Sequence, residues 1–427
     1  MTPEACSIYG KVLRTETHCG GEKTEVGYKM KKVKEIYCRI YQTTLRIALP
    51  FLPYRNPKIL HSVTEIPSVL IEKGLRRPLL VTDASIRGLG LTKRLEEVLA
   101  ESGEPAFIYD KTEQNPTTQM VMEALAIYRD KDCDSIISFG GGSAMDCAKA
   151  VGACVARPKK PLKKMAGILK VGRKIPLLIA VPTTAGTGSE TTLAAVIVDG
   201  RTRHKYVIND FPLIPSYAVL DPAVISTLPS SVAAATGMDA LTHAVEAYIG
   251  RSTTGYTRRE AKKAVRAVFH DIEDAAAHRS LRAEKGMLIA AHRAGRAFTR
   301  SYVGYIHAVS HSLSGKYNMP HGKTNAVLLP VVLEMYGPVV YRRLAELAVC
   351  AGLGRASEGR EALAKKFIAA IYELNEKLGI PKKIEGIEEK DIDMLAAYAD
   401  KEANPLYPVP VLWDKEELKE IYRKVRG

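Results

Sequence analysis

Several things are missing from this 427-residue chain, and each absence excludes a class of protein. No CxxC occurs, and the seven cysteines (Cys6, Cys19, Cys38, Cys133, Cys147, Cys154, Cys350) are scattered and odd in number. That pattern excludes a disulfide framework and reads as reduced thiols of a cytoplasmic protein. No apolar run approaches the ~20 residues that a membrane span needs. The opening MTPEACSIYGKV lacks a basic segment followed by an apolar core, so no secretory signal is expected there. Neither an internal repeat nor a low-complexity tract is present.

Charge of one sign is in excess, and its distribution decides what that means. The net charge is +15. Residues 1–60 hold eleven Lys/Arg against five Glu, and RPKKPLKKMAGILKVGRK at 157–174 holds eight basic residues and no acid. The two stretches supply fourteen of the fifteen charges, so the rest is nearly neutral. Neither carries a nucleic-acid fold motif or aromatics placed for base stacking, so no nucleic-acid partner is expected and a solvated tail and loop account for them. A basic loop beside an anionic dinucleotide is a further use for the second stretch.

What remains is an ordinary globular composition, 46% apolar and 26% charged, in a chain long enough for two domains. Residues 1–56 read as an extension. Within it VKEIYCRIYQTTLRIAL places Val33, Ile36, Ile40, Leu45 and Ala48 at roughly helical spacing, with Lys34, Arg39 and Arg46 off that stripe. This amphipathic helix is expected to pack its apolar face on the body or a partner subunit rather than on a membrane. Pro50, Pro53 and Pro57 end it.

Over 57–225 the text alternates strand and helix. RRPLLVTDAS is a strand ending at Asp83, PAFIYD a second, SIISF a third and KIPLLIAVP a fourth, and Asn115-Pro116-Thr117 opens a helix. Such alternation predicts an α/β domain on a parallel, doubly wound sheet. After Asp221-Pro222 the strand signals vanish, and 226–427 is expected to be all-helical.

The richest stretch is HAVSHSLSGKYNMPH, three imidazoles within fifteen residues. His307 and His311 stand at i, i+4, on one face of a helix. Asn318-Met319-Pro320 breaks that helix and can return His321 to the same point. Upstream, GMDALTHAVEAY repeats the device with Asp239 and His243. A single histidine is more often a satisfied core or surface residue. Two helices, each with a pair of metal-competent side chains on one face, point instead to a divalent cation. HExxH is absent, since Ala308 follows His307, so this is not a zinc protease.

The glycine turn Gly140-Gly141-Gly142-Ser143 follows a strand and opens a helix, where free N–H groups accept an anion. It is not GxGxxG, and a tight turn with no ligand explains a lone glycine run nearly as well. Asp83 can accept from ribose hydroxyls and repel a 2′-phosphate, or simply cap a helix. PTTAGTGSE offers the hydroxyls of Thr183, Thr184 and Ser189, for a phosphate, a ribose or a helix cap.

Together FGGGSAMDCAKA, PTTAGTGSE, TGMDALTHAVEAY and HAVSHSLSGKYNMPHGKTNA resemble the iron-containing (group III) alcohol dehydrogenase family. The motifs stand in the family's order from about residue 60 almost to the C-terminus. The resemblance implies an α/β dinucleotide domain, an all-α domain and a metal in the cleft between them. It implies that Asp239, His243, His307 and His321 ligate Fe²⁺ (or Zn²⁺), while His311 approaches the nicotinamide as a catalytic group. It also implies that Asp83, Asn115, Gly141, Gly142, Ser143, Thr183, Thr184, Thr192 and Lys205 hold NAD (or NADP). Ala194 and Ala195 depart from some relatives. A small alcohol or aldehyde is the expected substrate and a homodimer or higher homo-oligomer the expected assembly, with no membrane partner. A dehydroquinate synthase-like lyase shares this architecture, although the C-terminal motifs stand closer to the dehydrogenases. A non-catalytic nucleic-acid or membrane-surface binder is the reading from another class.

Overall fold

Short, wholly apolar segments such as PLLV and SIISFG are too uniform to have one wet face, and a parallel sheet covered on both sides is what accommodates them. A computed structural model describes residues 22–201 and 205–427; residues 1–21, with the opening MTPEACSIYGKV and both Cys6 and Cys19, lie outside them. The strands are β1 (Lys58–Leu60), β2 (Pro78–Val81), β3 (Phe107–Tyr109), β4 (Ser135–Gly140), β5 (Gly167–Ile168), β6 (Leu177–Pro182), β7 (Ala194–Val198), β8 (Lys205–Asn209) and β9 (Tyr217–Val219). Six of them form a parallel sheet in the order β1-β9-β6-β4-β2-β3. The helices between them are α1 (Glu22–Ala48), α2 (Ile66–Glu72), α3 (Ala84–Gly88), α4 (Lys93–Glu101), α5 (Thr118–Asp130) and α6 (Gly142–Ala156). Leu80, Ile137, Phe139, Ile179 and Val181 pack with α2 and α4 on one face of the sheet. Leu79, Val81, Ile136 and Leu178 pack with α5 and α6 on the other. The alternation of neighbouring residues between two cores is the period of a strand.

Strand β2 has β3 on one side and β4 on the other, so the chain reverses its direction of winding between β2 and β4. The crevice at such a reversal, beyond the carboxyl ends of the strands, is where open α/β sheets bind ligands. Asp83 leaves β2 and the glycine turn leaves β4 at this point. The sequence reading missed a second, three-stranded sheet, β5-β8-β7, in which β7 and β8 are antiparallel. Its strands are short, two to five residues, and AAVIV follows closely on a turn-rich segment.

From residue 230 onward every regular element is helical: α7 (Ser230–Ile249), α8 (Gly255–Ala277), α9 (Leu281–Ser301), α10 (Tyr305–Tyr317), α11 (His321–Tyr336), α12 (Pro338–Cys350), α13 (Arg360–Lys377), α14 (Glu389–Ala403) and α15 (Lys415–Val425). Helix α7 is apolar almost all round and is buried from Gly237 to Ile249, packed on α8, α9 and α11. The turn after β6 meets this helical region at two close contacts. A Cβ on Gly186 would stand 2.6 Å from the Thr236 carbonyl, and one on Gly188 would stand 2.7 Å from the Gly295 Cα. Gly188 is also left-handed, at φ 58°.

Helix α1 meets the body with a face other than its apolar stripe. Its body-facing side is Cys38, Gln42, Leu45 and Leu49, not the Val33–Ile36–Ile40 stripe, which is exposed. Polar anchors decide the orientation. Gln42 donates to the Tyr407 carbonyl at 2.8 Å, and Arg39 donates to the carbonyls of Val409 (2.8 Å) and Pro410 (3.1 Å). Lys34 pairs with Asp400 at 2.7 Å. Unmet carbonyls in the irregular 404–414 segment cost more than exposed methyl groups, so they claim this face.

A buried lysine that sequence reading passed over holds the cofactor-side loop. Lys149 on α6 donates to Ser189 O (2.7 Å), Ser189 Oγ (3.0 Å), Thr192 Oγ1 (2.8 Å) and Ala194 O (3.0 Å). Burial lowers its pKa to about 8, against the pull of Asp146 and Glu190. Lys149→Met removes four donated bonds and leaves Asp146 without its cation. We expect a loss of about 3 kcal/mol in stability, read as a lower urea midpoint; an unchanged midpoint would mean that the lysine is not the anchor of this loop.

Candidate metal and dinucleotide site

The four expected metal-binding residues do come together, but from three helices rather than two. Asp239 and His243 lie one turn apart on α7, with His243 Nδ1 3.8 Å from Asp239 Oδ2. His307 lies on α10, its Nε2 3.7 Å from Asp239 Oδ1. Asn318 closes α10 in a left-handed conformation (φ 54°), and the chain re-enters at once as α11 with His321 as its first residue. That tight reversal places His321 Nε2 3.6 Å from Asp239 Oδ1. Among the described residues, Asp239, His243 and His307 offer ligand atoms within 4.8 Å of one another.

Protonation favours cation binding. Burial, reinforced by the neighbouring imidazoles, holds His307 well below its ordinary pKa. Burial lowers His243 against the pull of Asp239, and lowers His321 to about 4. All three rings are therefore neutral near pH 7, the form that ligates a metal.

Two residues with no expected role organise the cluster. Glu246, one turn beyond His243, accepts from the Ile306 amide at 2.9 Å and meets His307 Nδ1 at 2.5 Å. Burial raises its carboxyl to about 8. With Nδ1 engaged, the lone pair of His307 Nε2 turns inward, the carboxylate–imidazole arrangement common behind metal ligands. Asn325 Nδ2 donates to Asp239 Oδ1 (2.7 Å) and lies 3.0 Å from His321 Nε2 and 3.2 Å from His307 Nε2. Three acceptors thus converge on one neutral amide with two N–H bonds, while His243 Nδ1 is buried with no hydrogen bond at all. A convergent set of acceptors with one orphaned nitrogen suits a cation, so these residues fit a metal. Glu246 could have been noticed as a second acid in an apolar helix, three residues past His243. Asn325 has a similar signal, four residues past His321.

His311 is on the same face of α10, its ring 5.9 Å from His307 and stacked at 5.1 Å on His321. It is half-exposed and pairs elsewhere: Nδ1 meets Glu402 Oε1 at 2.6 Å, and that oxygen also accepts from the Tyr407 hydroxyl at 2.8 Å. Burial pushes the His311 pKa down, but the Glu402 charge and hydrogen bond outweigh it and the net shift is upward. Nothing in the sequence marks Glu402, which comes from α14, ninety-one residues further along the chain.

The nine expected dinucleotide contacts do not all sit alike. Asp83 caps α3, accepting from the Ile86 amide at 2.8 Å, and its other oxygen lies 3.8 Å from where a Gly140 Cβ would be. Gly141 is the extended residue before α6, so Gly142 and Ser143 present the free N–H groups of its first turn. Thr183 donates its amide to Gly140 O at 3.1 Å, and Thr184 lies against Gly141, which brings the two turns side by side. Asn115 is left-handed (φ 60°), just before the Pro116 carbonyl that accepts from Val198. Thr192 is buried, with its hydroxyl taken by Lys149. Lys205, at the start of β8, feels the charge of Glu402 and so stands on the His311 side of the crevice.

If the cluster holds a cation, His307→Ala should leave a folded chain with no stoichiometric metal. Asn325→Leu and Glu246→Gln should weaken metal affinity about 10- to 100-fold. Metal analysis after dialysis against graded chelator reads both; full retention in His307→Ala contradicts the assignment.

Comparison with known proteins agrees with this geometry. Residues 59–222 match the model of the iron-containing alcohol dehydrogenases, and residues 233–426 match the model of that family's C-terminal region. The 1,3-propanediol dehydrogenase of Klebsiella pneumoniae is 36% identical over 386 residues, covering 88% of this chain and 97% of that protein. The NAD-dependent methanol dehydrogenase of Bacillus methanolicus is 33% identical, over 79% of this chain and 89% of its own. A crystal structure of 1,3-propanediol oxidoreductase superimposes with a TM-score of 0.83 at 34% identity, covering 87% of this chain and 98% of that one. The chain belongs to the iron-containing alcohol dehydrogenase family and is a nicotinamide-dependent, metal-containing alcohol dehydrogenase, active between alcohol and aldehyde.

Proposed function

We propose that the chain oxidises a short alcohol or diol, or reduces the matching aldehyde, in a crevice between residues 57–225 and residues 226–427. The first of these spans is the dinucleotide domain and the second the metal domain. The observation that supports this best is the cluster of buried Asp239, His243 and His307 with part-buried His321, beside half-exposed His311. Relatives acting on 1,3-propanediol and methanol support a small substrate. Bound iron (or zinc) supplies a Lewis acid for the substrate oxygen, and NAD supplies the hydride acceptor.

The chain's own residues do the positioning. Asp239, His243, His307 and His321 hold the metal, with Glu246 and Asn325 fixing the rings. The first turn of α6, at Gly141, Gly142 and Ser143, receives the pyrophosphate, and Thr183 and Thr184 line the adjacent turn. Asp83 accepts from the adenosine ribose and disfavours NADP, while Asn115, Thr192 and Lys205 complete the binding site. His311 takes the alcohol proton and passes it toward Glu402 and solvent. A fifth protein ligand would crowd the open position that the substrate needs, so His311 is not a ligand in this scheme. A reduced cytoplasmic setting suits the scattered thiols, four of which are buried and unpaired in the structure. A homodimer or higher homo-oligomer is the proposed assembly.

Anaerobic loading with Fe²⁺ or Zn²⁺, followed by a screen of short alcohols, diols and aldehydes with NAD(H) and NADP(H), tests this function; no turnover in any combination would refute it. Asp83→Gly should shift the kcat/KM ratio toward NADP by about 5- to 100-fold, since one charge near a partly exposed phosphate is worth about 1–3 kcal/mol. An unmoved ratio would leave Asp83 as a helix cap alone.

The pH profile tests His311. Glu402 stabilises the imidazolium and raises the pKa, so neutral His311, able to accept a proton, forms only above that raised value. For alcohol oxidation the rising limb of kcat/KM should move to lower pH in Glu402→Gln. A limb that stays in place would contradict the relay.

A further inference from the structure

Helix α1 has two faces, and only one is used. The side built from Cys38, Gln42 and Leu49 is buried against the 404–414 segment. On the opposite side, about 180° round the helix, Val33 (66% exposed), Ile36 (52%), Tyr37 (50%), Ile40 (62%) and Ile47 (66%) form an apolar stripe, with Phe51 (85%) just past the helix end. Isolated exposed side chains need no explanation, whereas a contiguous stripe of this size marks an interaction surface.

The spacing of the stripe identifies its occupant. Val26, Val33, Ile40 and Ile47 follow one another every seven residues, and all four are β-branched aliphatics. Seven-residue recurrence is the repeat of a two-helix seam, and β-branched residues at its first position favour two strands. At the other seam position, three residues further on, stand Lys29, Ile36, Thr43 and Pro50, so the repeat is carried by the first position with Ile36 beside it. The flanking charges choose the direction. Lys32, Arg39 and Arg46 occupy one shoulder and Tyr37, Thr44 and Phe51 the other. An antiparallel pair would set the cationic shoulders against each other. A parallel pair sets Lys32 beside Tyr37 of the partner subunit, where cation–π contact is available.

A membrane fits less well. Surface-seeking helices keep a charged face beside the apolar one to meet anionic lipid. Here Lys31 is bound to Asp414 (2.8 Å) and Glu417 (3.1 Å), Lys34 to Asp400, and Arg39 to two carbonyls. These three charges are engaged with the body, which leaves Lys32 and Arg46 as the exposed cations beside the stripe among the described side chains.

We propose that the exposed face of α1 is a homodimer surface, on which two copies pair their α1 helices in parallel and in register along Val33, Ile40 and Ile47. The proposal deepens the homo-oligomer reading and rests on it. Six apolar side chains per copy amount to a patch on the order of several hundred Å², enough for one interface of modest size. The helix precedes the residues matched by the family model, which begin at 59.

Sedimentation equilibrium of the full chain at micromolar concentration, wild type against Ile40→Glu/Ile47→Glu, tests it. The expected result is a dimer or a multiple of it for the wild type and half that mass for the variant, with unchanged metal content reporting a folded body. A second variant, Ile40→Cys, should give a reducible covalent dimer under mild oxidation, beyond any band the wild type gives. If the wild type is an oligomer and the double variant keeps its mass, the α1 surface is wrong and the oligomer reading survives. A monomeric wild type overturns both. Flotation with phosphatidylserine vesicles that the double variant loses, at unaltered mass, assigns the stripe to a membrane and also overturns the proposal.

Discussion

The structure depends on keeping one carboxylate and three imidazoles out of water at the meeting point of α7, α10 and α11. Burying a carboxylate alone is expensive, and burying neutral imidazoles beside it returns little. Asp239, His243 and His307 are nevertheless almost wholly buried, with their acceptors turned toward one point. Asn325 answers part of this demand with a single amide, and a cation would answer more of it. The packing around the cluster follows from the same need. Gly304 and Gly322 let α10 and α11 approach α7 so closely that added Cβ atoms would stand 2.7 Å from Glu246 Oε1 and 2.5 Å from the Ala235 carbonyl. Glu246 then spans the gap and fixes His307.

The dinucleotide half is organised by a different constraint, the reversal of strand order between β2 and β4. It brings Asp83 and the glycine turn together, and buried Lys149 ties the turn after β6 to α6. Because Gly186 and Gly188 press that same turn against α7 and α9, the two halves share one loop. The surface on which NAD is proposed to lie is thus in register with the cluster that is proposed to hold the metal.

Much of this was legible in the sequence where chemistry and period coincide. Pairs at i, i+4 put Asp239 with His243 and His307 with His311, and the Asn-Met-Pro break returned His321. Alternating strand and helix signals gave the parallel sheet, and their disappearance after Asp221 gave the helical region. Side chains whose role depends on distant partners were not legible. Glu402 reaches His311 from ninety-one residues away, and Asn325 has a role only because three helices converge on it. Apolar period left open whether the stripe of α1 meets the body or a partner subunit, and it did not show which face the body takes. Gln42 and Arg39, which satisfy backbone carbonyls of the 404–414 segment, decided it instead.

X-ray absorption at the iron edge of Fe²⁺-loaded protein tests the central claim most directly. The account predicts three imidazoles and at least one carboxylate oxygen around each iron, with one iron per chain. A spectrum with fewer than three imidazoles, or with sulfur in the first coordination sphere, would contradict it.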